Sequence, residues 1–267
     1  MNETSTFAVF GDIHGRIALM LYLCRRWQAE TGETLDGVLQ CGDMGAFPDH
    51  SRLDRATKRH AKRDPDELAY RAFVNDTSEA RKWLTDDGPR VLWCRGNHED
   101  FEHLAEFDEP GPVDFYNRLW FLPDGTCTTL AGVRVGGFGG IQADDDRGFA
   151  NPAHCFRGDS PQVLLTHAGP MTSAFPIGAE TVTKLCRRIR PEVHLFGHHH
   201  RVFGPDPGPG DSMLIGLEHL DWKRDTRLKD GCWGILRRGR EGWDFTWADT
   251  FAWNRQVRFH NWRYQAA

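Results

Sequence analysis

Five short clusters of polar residues carry groups that bind metal ions: Asp12-Ile13-His14, Gly42-Asp43, Gly96-Asn97-His98-Glu99-Asp100, Thr166-His167-Ala168-Gly169 and Gly197-His198-His199-His200. They offer carboxylate oxygen, amide oxygen and imidazole nitrogen without thiolate, the donors expected of Mn²⁺, Fe or Zn²⁺ in open, water-bearing sites. The ligands on offer are too many for one ion. Two ions sharing a carboxylate accommodate such a set, and a pair roughly 3.5 to 4 Å apart clamps the attacking and leaving oxygens of an in-line phosphoryl displacement. Asp12 and His14 are two apart, as are His198 and His200. In extended backbone that spacing turns both members of a pair to one side and His199 to the other, so His199 is expected not to be a ligand.

What must position these clusters is a set of buried strands. Short apolar runs at 7–10, 38–41, 91–94, 163–165 and 193–196 each end directly in one of them, and a sixth run lies at 133–136. A helical stripe over 17–30 closes at Thr31-Gly32, and 65–84, followed by Gly88-Pro89, reads as helix in the same way. Strand alternating with helix predicts an α/β fold whose strands are buried on both faces. In such sheets ligands bind beyond the carboxyl ends of the strands, so five loops are expected to meet at one site. After His200 the chain changes character. Strands are predicted at 213–217, 231–236 and 243–247, the last two as a hairpin, and the Pro/Gly-rich 204–210 reads as a loop rather than a linker. A single domain over 1–267 is expected, with 201–267 completing a second sheet.

Composition removes other classes. No run of about 18 apolar residues exists, which excludes a membrane-spanning helix. Met1 to Thr6 carries Glu3 and no basic region, unlike a secretion signal. Seven cysteines, an odd number without a CxxC pair, suit reduced thiols and a cytoplasmic protein rather than a disulfide framework or a thiolate zinc site. Gly136-Gly137-Phe138-Gly139-Gly140 lacks the spacing of a dinucleotide fingerprint.

The ordered set Asp-x-His, Gly-Asp, Gly-Asn-His-Asp/Glu, His, Gly-His-x-His resembles the calcineurin-like metallophosphoesterases. It appears here as Asp12-Ile13-His14, Gly42-Asp43, Gly96-Asn97-His98-Glu99, His167 and Gly197-His198-His199-His200. The resemblance implies a four-layer α/β/β/α sandwich of two mixed β-sheets flanked by helices. It implies two divalent ions (Mn, Fe or Zn), the first on Asp12, His14 and His200, the second on Asn97, His167 and His198, with Asp43 bridging. A hydroxide held between the ions would attack phosphorus, and His98 would act as general acid on the leaving oxygen or as a donor to the phosphate.

Departures from the family pattern bear on substrate. Protein serine/threonine phosphatases extend the second block with a further Asp and an Arg, which Gly42-Asp43-Met44-Gly45-Ala46-Phe47 lacks. Glu99 or Asp100 is left as the residue to orient His98. The stretch 119–141, together with the basic insert after Asp43, is similar to RNA lariat debranching enzymes, although those have Cys where this chain has His14. In the insert, Arg52, Arg55, Lys58, Arg59, Lys62 and Arg63 recur at helical spacing. They read either as a solvated face paired to Asp54, Asp64 and Asp66 or as a substrate surface, with Arg55, Arg59 and Lys62 at its centre. Near the C-terminus, Trp253, Phe259, Trp262 and Tyr264 interleave with Arg255, Arg258 and Arg263, a pattern of packing or of base-stacking platforms. The expected activity is phosphodiester hydrolysis of a nucleotide or nucleic acid. The alternatives are a phosphomonoesterase for a small metabolite and a non-catalytic metal-binding scaffold.

Overall fold

The computed structural model describes residues 4–84, 88–158 and 160–265; residues 1–3, part of the N-terminal stretch read above, lie outside the described residues. The strands in chain order are β1 (Ser5–Phe10), β2 (Gly37–Gln40), β3 (Val91–Cys94), β4 (Gly111–Pro112), β5 (Leu119–Leu122), β6 (Thr126–Leu130), β7 (Val133–Phe138), β8 (Val163–Thr166), β9 (Val193–Phe196), β10 (Phe203–Pro207), β11 (Met213–Gly216), β12 (Trp233–Gly239) and β13 (Gly242–Trp247). They form two mixed sheets, ordered β13-β12-β1-β2-β3-β5-β4 and β10-β11-β9-β8-β7-β6. The central strands β1, β2, β3 and β5 run parallel, as do β7, β8, β9 and β11. Each helical connection therefore returns the chain to the same end of its sheet.

Period-two alternation decides what each strand face touches. Phe7 and Val9 of β1 and Leu92 of β3 meet Val133, Val135 and Leu165 from the other sheet in a core between the two. The alternate residues Ala8, Phe10, Val91 and Trp93 face the helical layer of α1 (Ile17–Thr31), whose Leu19, Leu23 and Trp27 are buried there. On the far side, Leu164 of β8 packs with Val182, Leu185 and Ile189 of a helix at Glu180–Ile189. Two mixed sheets thus lie between helical layers. Because the central strands are covered on both faces, their sequences are apolar runs rather than alternating patterns.

Three expectations are corrected. The segment 65–84 is not one helix but a 3₁₀ turn (Pro65–Leu68) and two short helices, Tyr70–Val74 and Ser78–Leu84. Asn75 is extended, and the Thr77 hydroxyl accepts from the Ala80 amide at the start of the second piece, so local side-chain capping overrides the apolar spacing. The 204–210 stretch contributes an edge strand, β10, whose pairing with β11 shifts register between Phe203 and Asp206, an irregularity that prolines at a sheet edge permit. The tail does not all complete the second sheet: β10 and β11 join it, but the β12–β13 hairpin adds to the first sheet, β12 lying antiparallel beside β1. Ile235 and Trp233 of β12 pack in the helix-side core while Leu236 packs in the core between the sheets, so the strand beside β1 is covered on both faces.

The aromatic tail packs inward. Trp253 and Trp262 are buried, with Trp262 against Tyr22 and Trp83. Phe259 and Tyr264 are exposed.

Candidate metal centre

The loops after β1, β2, β3, β8 and β9 meet at one place, and the hydrogen bonds there run between clusters. Asp43 Oδ1 accepts from the amides of Asn97 and His98, both at 2.7 Å. Asp12 Oδ1 accepts from the His198 amide at 3.0 Å, and Asp12 Oδ2 lies 3.0 Å from His200 Nε2. His167 Nε2 lies 2.9 Å from Asn97 Oδ1, while its Nδ1 lies 3.0 Å from the Cys41 carbonyl. The His198 ring is 4.9 Å from that of His167. Donor atoms of Asp12, His14 and His200 fall within 4.8 Å of one another, as do those of Asp12, Asp43 and His167. A cavity of about 140 Å³ is lined by His14, Asp43, Asn97, His98, His198 and His200.

The side chains converge for a different reason from the one the spacing suggests. His14, Asp43, His198 and His200 have φ of +43°, +53°, +61° and +48°, so these segments are tight turns rather than extended backbone. Non-glycine residues rarely hold that conformation, and such strain persists where the surroundings over-determine it. His199 is turned away: its Nε2 accepts the Gly169 amide at 3.0 Å, and its ring packs against Phe175. It thereby holds the loop that carries His167.

Two motif glycines are explained by close approach. A Cβ on Gly96 would lie 2.0 Å from Asp43 Oδ1, and one on Gly197 would lie 2.1 Å from Asp12 Oδ1. Neither atom can yield without moving a carboxylate of the centre. Gly197→Ala is expected to cost about 2 kcal/mol of stability, the usual scale of overpacking, and to lower metal retention. Denaturant unfolding and metal content of the purified variant check this; wild-type values for both would refute the close-approach argument.

Electrostatics favour a cation. Burial alone would raise the carboxyls of Asp12 and Asp43, but His167 together with His14, and His200 for Asp12, outweighs it and holds both below the usual carboxylate range. Burial pushes the His14 and His198 imidazoles down to about 4, leaving them neutral. Anionic oxygens and neutral ring nitrogens, gathered on two buried carboxylates, are the protonation states that ligate divalent ions. The residues present fit a metal centre.

His98 stands at the cavity beside these groups, and its partner is neither Glu99 nor Asp100. Nδ1 of His98 lies 2.7 Å from Asp54 Oδ2. Asp54 begins a short helix, α2 (Arg55–His60), and its other oxygen caps that helix by accepting the Thr57 amide at 2.7 Å. Burial works against charge on His98, but the Asp54 hydrogen bond and the charges of Asp43 and Asp54 lift its pKa to about 9. Glu99 instead clamps the second loop, accepting from the amides of Met44 and Ala46 at 2.8 and 2.6 Å. Asp100 pairs with Arg52 at 2.7 Å.

A family model described as calcineurin-like phosphoesterase matches residues 5–202, which include every residue of this centre. The chain belongs to the calcineurin-like phosphoesterase family. Its structure is similar to that of TT1561 of Thermus thermophilus, with a TM-score of 0.53 at 13% identity over 91% of this chain and 98% of that one. It is also similar to the calcineurin-like phosphoesterase YfkN from Bacillus subtilis, with a TM-score of 0.49 at 12% identity over 98% of this chain and 96% of that one. No curated protein matches it. Membership makes the chain a phosphoric ester hydrolase by family, with candidate metal ligands in place.

In this phosphoesterase the expected substrate residues Arg55, Arg59 and Lys62 do not reach the donor cluster. They are exposed, Arg55 and Arg59 on α2 and Lys62 in the turn after it, while Ala56, Thr57 and His60 of α2 line the cavity. The acids expected to neutralise them are engaged elsewhere: Asp54 by His98, Asp64 by Arg16 at 2.8 Å and Asp66 by Arg263. Sequence reasoning also missed His219. Its Nδ1 lies 2.6 Å from Glu218 Oε1 and its Nε2 3.0 Å from Asp221 Oδ2, and its ring lies 4.0 Å from that of His200, which it buttresses. The His-carboxylate run at 218–221 was the available signal.

Among the described residues no helix is long and apolar enough to cross a membrane.

Proposed function

We propose that this protein is a dinuclear-metal phosphodiesterase acting on nucleotide or nucleic-acid esters in the cytoplasm. The observation that carries the reading is the Asp54–His98 pair at the edge of the donor cluster: a scaffold needs ligands, but it does not need an oriented proton donor. Asp12, His14 and His200 would hold one ion and Asn97, His167 and His198 the other, with Asp43 between them. Bound there, two ions supply positive charge to the phosphoryl oxygens and acidify water.

The chain's own residues do the rest. Asp54 occupies Nδ1 of His98, leaving Nε2 to give its proton to the departing alkoxide. The Asn97 and His98 amides fix Asp43, and Glu99 fixes the loop behind it, so the donor set is held before substrate arrives.

Diesters are favoured by the outer face of α2 and the turn that follows it. Among the described residues, Arg55, Lys58 and Lys62 have no ion pair, so uncompensated positive charge borders the cavity of a protein whose formal charge is −5. That suits phosphates flanking the one being cleaved. Replacing Arg55, Arg59 and Lys62 together by Glu is expected to lower kcat/KM for an oligonucleotide about tenfold relative to bis-p-nitrophenyl phosphate and to flatten its salt dependence. Equal effects on both substrates would remove these residues from binding. Seven free cysteines, six of them buried, fit the reducing cytoplasm.

The test of the activity is turnover of bis-p-nitrophenyl phosphate against p-nitrophenyl phosphate with added Mn²⁺. The diester is expected to have at least about a tenfold higher kcat/KM, equivalent to about 1.4 kcal/mol. A reversed ratio would assign the protein to monoesters, and no turnover of either would support the scaffold reading.

A further inference from the structure

The cavity wall contains, besides the donor loops, a carboxyl whose hydrogen bonding is incomplete. Glu67, 5% exposed, lines the cavity together with His14, Asp43 and His98. Its Oε1 accepts from Arg16 Nη2 at 3.2 Å, and Arg16 is itself fixed by Asp64 at 2.8 Å. Its Oε2 is buried with no hydrogen-bond partner among the described residues. His60 Nδ1 lies 3.8 Å from Oε2, beyond hydrogen-bond range. Buried polar atoms are nearly always paired, and an exception beside a reaction site calls for an explanation.

We propose that Glu67 is a specificity residue, whose unpaired oxygen binds a hydroxyl group carried by the alcohol portion of the substrate. The inference rests on the phosphoesterase reading above. A phosphoryl oxygen is the wrong occupant for a carboxylate, because both are acceptors with negative charge. A hydroxyl both donates and accepts, so it satisfies the carboxyl in either protonation state. Burial, with Asp64 and Asp221 nearby, pushes the Glu67 carboxyl up to about 7 despite Arg16, so both states are populated near neutrality. The Arg16 contact occupies Oε1 and leaves Oε2 as the oxygen without a partner, and the segment carrying Glu67 follows directly on the cationic helix α2. Ribose and glycerol esters both present such a hydroxyl.

The experiment is calorimetric binding of phosphate ligands in matched pairs to Mn²⁺-loaded protein. The pairs are uridine 3′-phosphate with its 2′-deoxy and 2′-fluoro analogues, and glycerol 3-phosphate with propyl phosphate. The hydroxyl-bearing member of at least one pair is expected to bind about tenfold more tightly, and the pair that shows the preference identifies ribose or glycerol as the source. The 2′-fluoro compound should fall with the 2′-deoxy one, since it cannot donate. In Glu67→Leu the preference should shrink to near unity. Equal affinity within both pairs in the wild type, or a preference that survives Glu67→Leu, overturns the proposal. The wild-type comparison stands alone if that variant does not fold. Turnover of bis-p-nitrophenyl phosphate in the same preparation separates the two failures: hydrolysis with equal affinities sinks only the Glu67 assignment, whereas no hydrolysis and no phosphate binding sinks the phosphoesterase reading as well.

Discussion

Asp43→Asn is expected to lower kcat/KM by about 10³-fold, corresponding to about 4 kcal/mol, and to leave the protein folded with less bound metal. Asp43 is buried, within 3.8 Å of His14 Nε2 and 3.5 Å of His167 Nε2, and its Oδ1 receives two backbone amides from the third loop. Asparagine keeps the shape and can still accept from those amides through its carbonyl oxygen. What it loses is the negative charge that balances two cations. The variant therefore separates the electrostatic role of Asp43 from its role in holding the loop. Circular dichroism, metal content and steady-state kinetics on one preparation check this, and wild-type activity would remove Asp43 from the centre.

The second large effect is expected at the Asp54–His98 pair. His98→Ala should lower kcat by about 10² to 10³-fold while metal content stays near that of the wild type, since the loss is of a proton donor rather than a ligand. Asp54→Asn should lose less, about tenfold, because His98 remains but is less well oriented. The pH profile distinguishes the two residues. Asp54 and Asp43 raise the pKa of His98, so its acid form persists to higher pH and the rate falls as pH rises through that pKa. Removing the Asp54 charge lowers the pKa, and the alkaline limb of the Asp54→Asn profile should move down by about one pH unit or more. An unmoved limb would mean that Asp54 does not tune His98.

What could be read in the sequence was largely local. The apolar runs at 91–94 and 193–196 coincide with β3 and β9, because a strand buried on both faces announces itself by composition alone. The clusters following them were legible because each donor type sits beside its glycine. Pairing at long range was not. The hairpin at 231–247 was visible as two strands and a turn, yet nothing in its residues says that β12 takes the open side of β1, more than 220 positions away in register. Asp54 was visible as a helix cap, but its contact with His98 spans 44 residues and depends on how the insert folds over the cavity. Asp12 and His14 converge without extended backbone between them, since the strand ends before both and a left-handed turn at His14 does the aiming. Glu67 carried no signal at all, because an unsatisfied oxygen is a property of the packed state.

The central claim is that two ions at this centre make a phosphodiesterase. Titration of chelator-stripped protein with Mn²⁺, following bound metal and bis-p-nitrophenyl phosphate hydrolysis together, tests it most directly. Hydrolysis should be absent from the stripped protein, rise as binding proceeds and saturate at about two ions per chain. Saturation of activity at one ion, hydrolysis that persists in stripped protein, or two bound ions without hydrolysis would each contradict it.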